Sequence, residues 1–205
     1  MRTQTKNTQE NLTPKDAHRI LVEGNQRFAQ NVKAQRNLQD QVFETSKGQY
    51  PFAVVLSCID SRVPAELVFD QGIGDIFSVR VAGNIVNEDV LASMEYACKV
   101  AGSKILIVMG HSKCGAVTAA CNNVKLGNIT ALLNKIQPAI DAVNVDISEM
   151  HDEVIEEVTH LNVEHSITQI KQQSPILAEM EERGEIEIVG AMYDVSNGLV
   201  EFFES

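Results

Sequence analysis

Two stretches of sequence decide the fold of this chain: residues 52–62, FAVVLSCIDSR, and residues 104–115, KILIVMGHSKCG. Each begins with a short, continuous apolar run, which is typical of a β-strand buried on both faces. Between them the pattern predicts a further strand over residues 76–81 and a helix that begins near Glu88 and is stopped by Gly102. Strands that alternate with helices indicate βαβ units and a parallel sheet.

The second half of the chain continues this alternation. Helices are predicted after Cys114 and through an acidic stretch over residues 128–183. A strand is expected over residues 186–192, followed by an Asn197-Gly198 turn signal that leads into residues 199–203. The predicted fold class is α/β, with a central, mainly parallel β-sheet flanked by helices.

Residues 1–48 are expected to form an N-terminal helical arm. A helix is predicted to begin after Thr13, because Thr is a good N-cap and Pro14 occupies the first helical position. Its apolar stripe consists of Ala17, Ile20, Leu21 and Phe28. This stripe packs either on its own domain or on a neighbouring subunit. Residues 1–12 are polar and are expected to be mobile unless a partner orders them.

We expect one domain over residues 1–205, in which residues 49–205 form the α/β core behind the arm. The net charge of −11 repels phosphate backbones and anionic lipid, so neither nucleic acid nor a membrane is an expected partner. No apolar run approaches the roughly 20 residues that a bilayer requires, and no signal-peptide pattern opens the chain. A cytoplasmic location is therefore expected, unless a leader has been removed.

Reactive residues follow the apolar runs directly, and three of them suit a metal. Cys58 follows the first run, and His111 and Cys114 follow the second. Ligand crevices form beyond the carboxyl ends of parallel strands, where these residues are able to converge. Two thiolates and an imidazole suit Zn²⁺, and three protein ligands leave the fourth tetrahedral position open for catalysis. The other cysteines, Cys98 and Cys121, are expected in the core.

Other site patterns fail in detail. Gly110 and Gly115 have the spacing of a phosphate-binding loop, but Ala116-Val117 stands where Lys followed by Ser or Thr is required. The pair Gly72-Ile-Gly74 precedes a predicted strand rather than a helix, which argues against dinucleotide binding. The zinc-deaminase order of His-x-Glu followed by Cys-x-x-Cys is absent from the sequence.

The paired motifs CIDSR, from Cys58, and GHSKCG, from Gly110, resemble the β-carbonic anhydrases. The likeness extends to further segments: residues 24–28 (GNQRF), 63–66 (VPAE), 80–84 (RVAGN), 93–96 (SMEY) and 190–194 (GAMYD). This resemblance implies that zinc is held by Cys58, His111 and Cys114. It also implies that Asp60 and Arg62 form a catalytic pair beside the metal.

The resemblance implies a substrate pocket as well. Gln49 matches a glutamine that holds bicarbonate in some members, and Phe77, Ala82 and Tyr96 match positions that line the pocket. Those members assemble the pocket across a dimer interface, so a homodimer or homotetramer is expected. Some relatives close the site at low pH, when the aspartate becomes the fourth zinc ligand with the help of a tryptophan. The chain has no tryptophan and carries Gln49, so it resembles the open subclass.

The expected activity is reversible hydration of carbon dioxide to bicarbonate and a proton, which makes the protein a zinc lyase. Zinc lowers the pKa of its bound water to about 7, and the resulting hydroxide attacks CO₂. Arg62 keeps Asp60 ionised, so that Asp60 orients this hydroxide through a hydrogen bond. Two alternatives remain open: hydrolysis of carbon disulfide or carbonyl sulfide on the same fold, and a non-catalytic zinc-containing regulatory module.

Overall fold

The computed structural model describes residues 3–143 and 151–203. The first half contains α1 (Lys6–Glu10), α2 (Pro14–Ala29), α3 (Leu38–Thr45), β1 (Ala53–Ser57), α4 (Ala65–Val68), β2 (Ile76–Arg80), a 3₁₀ turn (Ala82–Asn84), and α5 (Glu88–Glu95), which continues as a π-helical turn (Tyr96–Val100). The second half contains β3 (Ile105–His111), α6 (Gly115–Cys121), α7 (Gly127–Leu133), α8 (Gln137–Val143), α9 (Asp152–Gln173), α10 (Pro175–Glu182), β4 (Glu187–Tyr193) and β5 (Val200–Phe202).

The strands form one five-stranded sheet in the order β2-β1-β3-β4-β5. All neighbouring pairs are parallel except β4 and β5, which are antiparallel. The predicted fold class is therefore confirmed. β1 and β3 lie side by side near the centre of the sheet, and every residue in them is buried, as their continuous apolar runs require.

Helices cover both faces of the sheet. On one face, α2 and α4 pack against Phe52, Val55 and Ile107. On the other face, α5, α9 and α10 pack against side chains such as Leu56 and Val108. A third apolar cluster, which includes Val117, Leu133 and Ile136, lies beyond the carboxyl ends of the strands and encloses the cysteines there. The predicted helical stretch over residues 128–183 is seen in α7 to α10, although residues 144–150 lie outside the described residues.

The N-terminal helix begins as predicted, but its partner is its own sheet. Thr13 and Asp16 form a capping box, in which each side chain accepts a hydrogen bond from the other residue's backbone N–H. Ala17 and Leu21 are fully buried in the cluster on β1 and β3. The alternative in which this stripe packs on a neighbouring subunit is therefore wrong, because the face of the sheet beneath it needs cover.

The first residues are also more ordered than their polarity indicates. Residues 6–10 form α1, and Gln9 within it is buried. The Gln9 amide donates to the carbonyl oxygens of Pro51 and Ala101 at 2.7 and 2.8 Å, which ties the start of the chain to the amino end of the sheet. The expectation that residues 1–12 are mobile is therefore wrong for the residues of α1. No helix among the described residues has the length and apolar character needed to cross a membrane.

Candidate metal centre

Strand register brings the two reactive motifs to one edge of the sheet. Ser57 of β1 lies opposite Met109 of β3, so Cys58 and His111 both project from the carboxyl end. Cys114 is the N-cap of α6, which follows β3 after a tight turn. The turn is closed at Lys113, which has a φ of 56° and donates its backbone N–H to Glu156 Oε1 at 2.7 Å.

The three predicted ligands converge. The Cys58 and Cys114 sulfurs and a ring nitrogen of His111 lie within 4.8 Å of one another, and all three residues are buried. They are the one group of at least three His, Cys, Asp or Glu residues with metal-binding spacing in residues 3–143 and 151–203. The sulfur and nitrogen donors are those that zinc prefers.

The histidine provides a test of whether a metal fits. His111 Nδ1 lies 3.0 Å from the Ser112 carbonyl oxygen. This contact favours the tautomer in which Nδ1 carries the proton and donates it to that oxygen. His111 Nε2 is buried and has no hydrogen-bond partner among the described residues. An unpaired buried nitrogen is unfavourable, whereas a cation between it and the two sulfurs would satisfy it. The residues present therefore fit a zinc ion.

The two thiols at this site differ from the cysteines of the core. The hydrogen bond from Cys114 is the largest of the interactions that lower the pKa of Cys58, to about 4. The pKa of Cys114 is raised by the same contact and by burial, because without a cation the two sulfurs share one proton. Burial alone raises the pKa of Cys98 to about 12, so that thiol is inert. A ready thiolate is what metal binding requires.

The second predicted pair also forms. Arg62 Nε and Nη2 donate to Asp60 Oδ1 and Oδ2 at 2.9 and 2.8 Å, and the Arg62 backbone N–H also donates to Oδ1 at 2.9 Å. These hydrogen bonds hold the pKa of Asp60 well below its usual range. Asp60 Oδ2 lies 4.0 Å from His111 Nε2, so an ionised carboxylate stands beside the metal-binding atoms.

Two residues near the site have roles that sequence reasoning missed. Arg80 Nε donates to the Cys58 carbonyl oxygen at 3.1 Å, and Arg80 Nη2 donates to that of Asp60 at 2.6 Å, so Arg80 fixes the backbone that carries both side chains. The Gly83 backbone N–H donates to Cys58 Sγ at 3.3 Å. The only advance signal was their place in the RVAGN segment, where Arg80 falls within the predicted strand over residues 76–81 and Gly83 comes just after it.

Of the predicted pocket residues, Ala82 lies at the carboxyl end beside the candidate metal ligands, whereas Gln49 and Phe77 lie toward the amino end of the sheet in this chain. Phe77 lies opposite Val54 of β1, roughly 13 Å of strand before Cys58 at about 3.3 Å per residue. Its ring meets that of Tyr96 edge to face, with centroids 6.3 Å apart. Gln49 is exposed and precedes β1, and Ala82 lies next to Gly83 at the carboxyl end.

Comparisons with known proteins agree on one family. A family model described as carbonic anhydrase matches residues 53–200. Carbonic anhydrase 2 of Mycobacterium tuberculosis is 33% identical over 194 residues, covering 92% of each protein. Among solved structures, the β-carbonic anhydrase CcaA matches with a TM-score of 0.75 and 27% identity over 91% of this chain and 87% of its own. A tetrameric β-carbonic anhydrase from Sordaria macrospora matches with a TM-score of 0.73 and 27% identity, over 82% and 88% of the two chains.

Proposed function

The chain belongs to the β-class carbonic anhydrases, and from that premise we propose that it hydrates carbon dioxide at a zinc ion held by Cys58, His111 and Cys114. The observation that carries the proposal is the buried cluster of these three side chains, with an unpaired His111 Nε2. The activity is reversible conversion of CO₂ and water to bicarbonate and a proton. The relatives named above are all described as carbonic anhydrases, which gives no support to hydrolysis of carbon disulfide or to a purely regulatory module.

Zinc, when bound, would supply a Lewis acid that makes a water nucleophilic near neutral pH. The residues of the chain then have to orient that water and admit CO₂. Asp60 is ionised because Arg62 pairs with it, so it accepts a hydrogen bond from the attacking water but does not donate one. A lone pair of the water therefore remains directed at the carbon atom of the substrate. Arg62 is the positioning residue of this pair, and it also donates to the Lys113 carbonyl oxygen at 3.3 Å.

The open form of the site is part of this proposal. Asp60 is engaged by two side-chain hydrogen bonds and one backbone hydrogen bond from Arg62, so leaving the arginine for a metal would break all three. The chain also has no tryptophan to stabilise a closed form. We therefore expect water or a small anion, and not Asp60, in the fourth zinc position near neutral pH.

A homodimer, or a tetramer of such dimers, would complete the substrate pocket. Gln49 and Phe77 belong to the amino end of the sheet and the metal ligands to the carboxyl end, and the five residues of β1 alone span roughly 16 Å. β2 is an edge strand of incompletely buried residues. A two-fold axis beside β2 and perpendicular to the strands would run the second sheet in the opposite direction, placing Gln49 and Phe77 of the partner subunit near this metal site.

The free surface beside β2 supports that arrangement. A groove of about 610 Å³ is lined by Phe77, Ser78, Val79, Asp89, Ala92, Ser93 and Tyr96. The Tyr96 side chain is half exposed, and Phe43 of α3 is 77% exposed. The Sordaria macrospora relative is described as tetrameric. We propose that residues 1–205 act as one unit within such an oligomer, with residues 1–48 as an arm on the α/β core of residues 49–205.

Zinc content and stopped-flow CO₂ hydration test the proposal together. We expect about one zinc per chain, and loss of both metal and activity on His111→Ala, Cys58→Ala or Cys114→Ala, since each removes one of three ligands. Cys98→Ala is the matched control, because it removes a buried thiol outside the cluster and should retain zinc and activity. Full zinc occupancy in His111→Ala would refute the assignment.

A further inference from the structure

The 3₁₀ turn after β2 carries a backbone donor directly to the metal site. Its middle residue, Gly83, donates its N–H to Cys58 Sγ at 3.3 Å. Hydrogen bonds to ligand atoms orient the ligands and tune their donor strength toward a metal. The position of the Gly83 N–H therefore affects the donor strength of the Cys58 sulfur toward a metal.

The turn has a backbone conformation that few residue types adopt, and glycine and asparagine are among those few. Gly83 and Asn84 both have positive φ, 68° and 42°, and successive left-handed residues are rare. Gly83 also has no room for a side chain, because a Cβ there would lie 2.9 Å from Ile136 Cδ1 and 3.3 Å from Ala116 Cβ. Such a conformation persists when the surrounding structure holds it.

Two buried polar side chains of α9 keep the turn in this conformation. Asn162 Nδ2 donates to the Gly83 carbonyl oxygen at 2.8 Å, and Ser166 Oγ donates to the Asn84 carbonyl oxygen at 3.1 Å. The two residues are four apart and so lie on one face of the helix, where their neighbours Val163 and Ile170 are apolar and buried. Asn162 and Ser166 are polar residues among apolar neighbours, so they act through their hydrogen bonds, and both hydrogen bonds are made to the turn.

We propose that Asn162 and Ser166 are positioning residues of the metal centre. They fix the peptide that follows Gly83, and through the φ and ψ of Gly83 they fix the preceding peptide, whose N–H donates to Cys58. The inference rests on the proposed function in taking Cys58 to be a zinc ligand. When the hold is lost, the turn relaxes, the Cys58 sulfur loses its N–H donor, and its bond to the metal changes.

Metal affinity and a cobalt spectrum test the proposal. Asn162→Ala and Ser166→Ala should each weaken zinc binding about 10- to 100-fold in competition with a chromophoric chelator. In the cobalt-substituted protein, the thiolate-to-cobalt charge-transfer band should move to longer wavelength, since a sulfur without its donor gives up electron density more easily. Thr159→Val is the matched control. Thr159 is buried on the same helix, but its hydroxyl donates to Ile155 O within α9, so this variant should leave affinity and band unchanged.

Cadmium NMR separates this role from a merely structural one. In wild-type protein loaded with an NMR-active cadmium isotope, the Gly83 amide proton should show scalar coupling to the metal through the Cys58 sulfur. The coupling should weaken or vanish in Asn162→Ala, and in the milder Ser166→Ala if the first variant folds poorly. Wild-type protein that binds cadmium without coupling at Gly83, or variants with an unmoved cobalt band, would overturn this inference alone. A chain that binds neither zinc nor cadmium would overturn the proposed function with it.

Discussion

The carboxylates of Asp70 and Asp60 both accept hydrogen bonds from arginine side chains, but their surroundings differ. Asp70 is almost fully buried and accepts from Arg27 Nε and Arg36 Nη1, each at 2.6 Å, and from the Ala34 backbone N–H at 3.1 Å. Its partners lie 34 to 43 residues away in sequence. This cluster fastens α2 and the following loop to the end of α4.

The Asp60–Arg62 pair is local and half open. Its partners are two residues apart, and the Arg62 side chain is 48% exposed, compared with 7% for that of Arg36. Exposed pairs contribute about 0–1 kcal/mol to stability, whereas removing one member of a buried pair costs about 3–5 kcal/mol. The buried cluster therefore stabilises the fold, while the exposed pair, 4.0 Å from an unpaired His111 nitrogen, is available for chemistry.

The largest effect should come from breaking the exposed pair. Asp60→Asn should lower CO₂ hydration by about 10²- to 10⁴-fold, the range for loss of a positioned proton acceptor. Arg62→Ala should also lower activity steeply, because it frees Asp60 to turn toward the metal. Zinc should stay bound, and the free energy of unfolding should change by less than about 1 kcal/mol. Stopped-flow kinetics, metal analysis and urea unfolding measure these quantities.

Arg183→Ala is the control for that experiment, because Arg183 pairs with Glu179 at 3.0 Å on the surface, away from the metal site. It should leave activity and zinc content unchanged. Zinc loss in Asp60→Asn that matches the loss in a ligand variant would show that Asp60 is itself a ligand, contrary to the proposed open site.

Breaking the buried cluster should lower stability and leave activity unchanged, which is the reverse of the effect expected for the exposed pair. Asp70→Ala should lower the free energy of unfolding by about 3–5 kcal/mol, because it removes the buried carboxylate that accepts from the guanidinium groups of Arg27 and Arg36. Activity per folded, zinc-loaded molecule should be retained. Urea unfolding followed by kinetics on the folded fraction checks both. An unfolding midpoint equal to that of wild type would contradict the assigned role.

Asp75 is a third carboxylate, and its pKa is shifted in the direction opposite to the pKa values of Asp60 and Asp70. Burial raises the pKa of Asp75, and the N–H of Gly72 offsets only part of this effect. A folded-state pKa above the unfolded value of about 3.9 means that ionisation of Asp75 opposes folding as the pH rises through the folded pKa. Asp75→Asn should therefore be more stable than wild type at pH 7, by less than the effects above.

Asp75→Asn should lose this stability advantage near about pH 3, below the unfolded pKa of about 3.9, where Asp75 of the wild-type protein is mostly protonated in both states. The pKa of Asp70 is shifted in the direction opposite to that of Asp75. Burial would raise its pKa, but the hydrogen bonds from Arg27, Ala34 and Arg36 outweigh burial and lower it, so its contribution is lost as the pH falls. Urea unfolding of wild type and Asp75→Asn at both pH values is the measurement. A stability gain that is independent of pH would contradict this account of Asp75.

Sequence reasoning succeeded where the determinants were local. The apolar runs of β1 and β3 and the cap at Thr13 were visible within a few residues, and so was the spacing of His111 and Cys114, two of the three predicted ligands. Cys58 lies 53 residues before His111, and its place at the end of an apolar run was the signal that it joins them. The predicted strand ends were off by one or two residues, because pairing with the neighbouring strand decides where a strand ends. β3 continues through His111, for example, since β4 continues alongside it to Tyr193.

Long-range contacts account for what the sequence did not reveal. α1 depends on the contacts of Gln9 with carbonyl oxygens 42 and 92 residues away. Asn162 donates a hydrogen bond to the carbonyl oxygen of Gly83, which is 79 residues away. Neither residue lies in a motif, and a buried Gln or Asn looks like a surface residue until its partner is known. The stripe on α2 was recognised correctly as apolar, but periodicity alone does not say what covers it.

A crystal structure of the zinc-loaded protein near pH 7.5 tests the central claim most directly. We expect zinc bonded to the Cys58 and Cys114 sulfurs at about 2.3 Å and to His111 Nε2 at about 2.0–2.1 Å. A water or small anion should complete the tetrahedron, with Asp60 still hydrogen-bonded to Arg62. Zinc bound elsewhere, or an Asp60 oxygen within about 2.2 Å of it, would contradict the account.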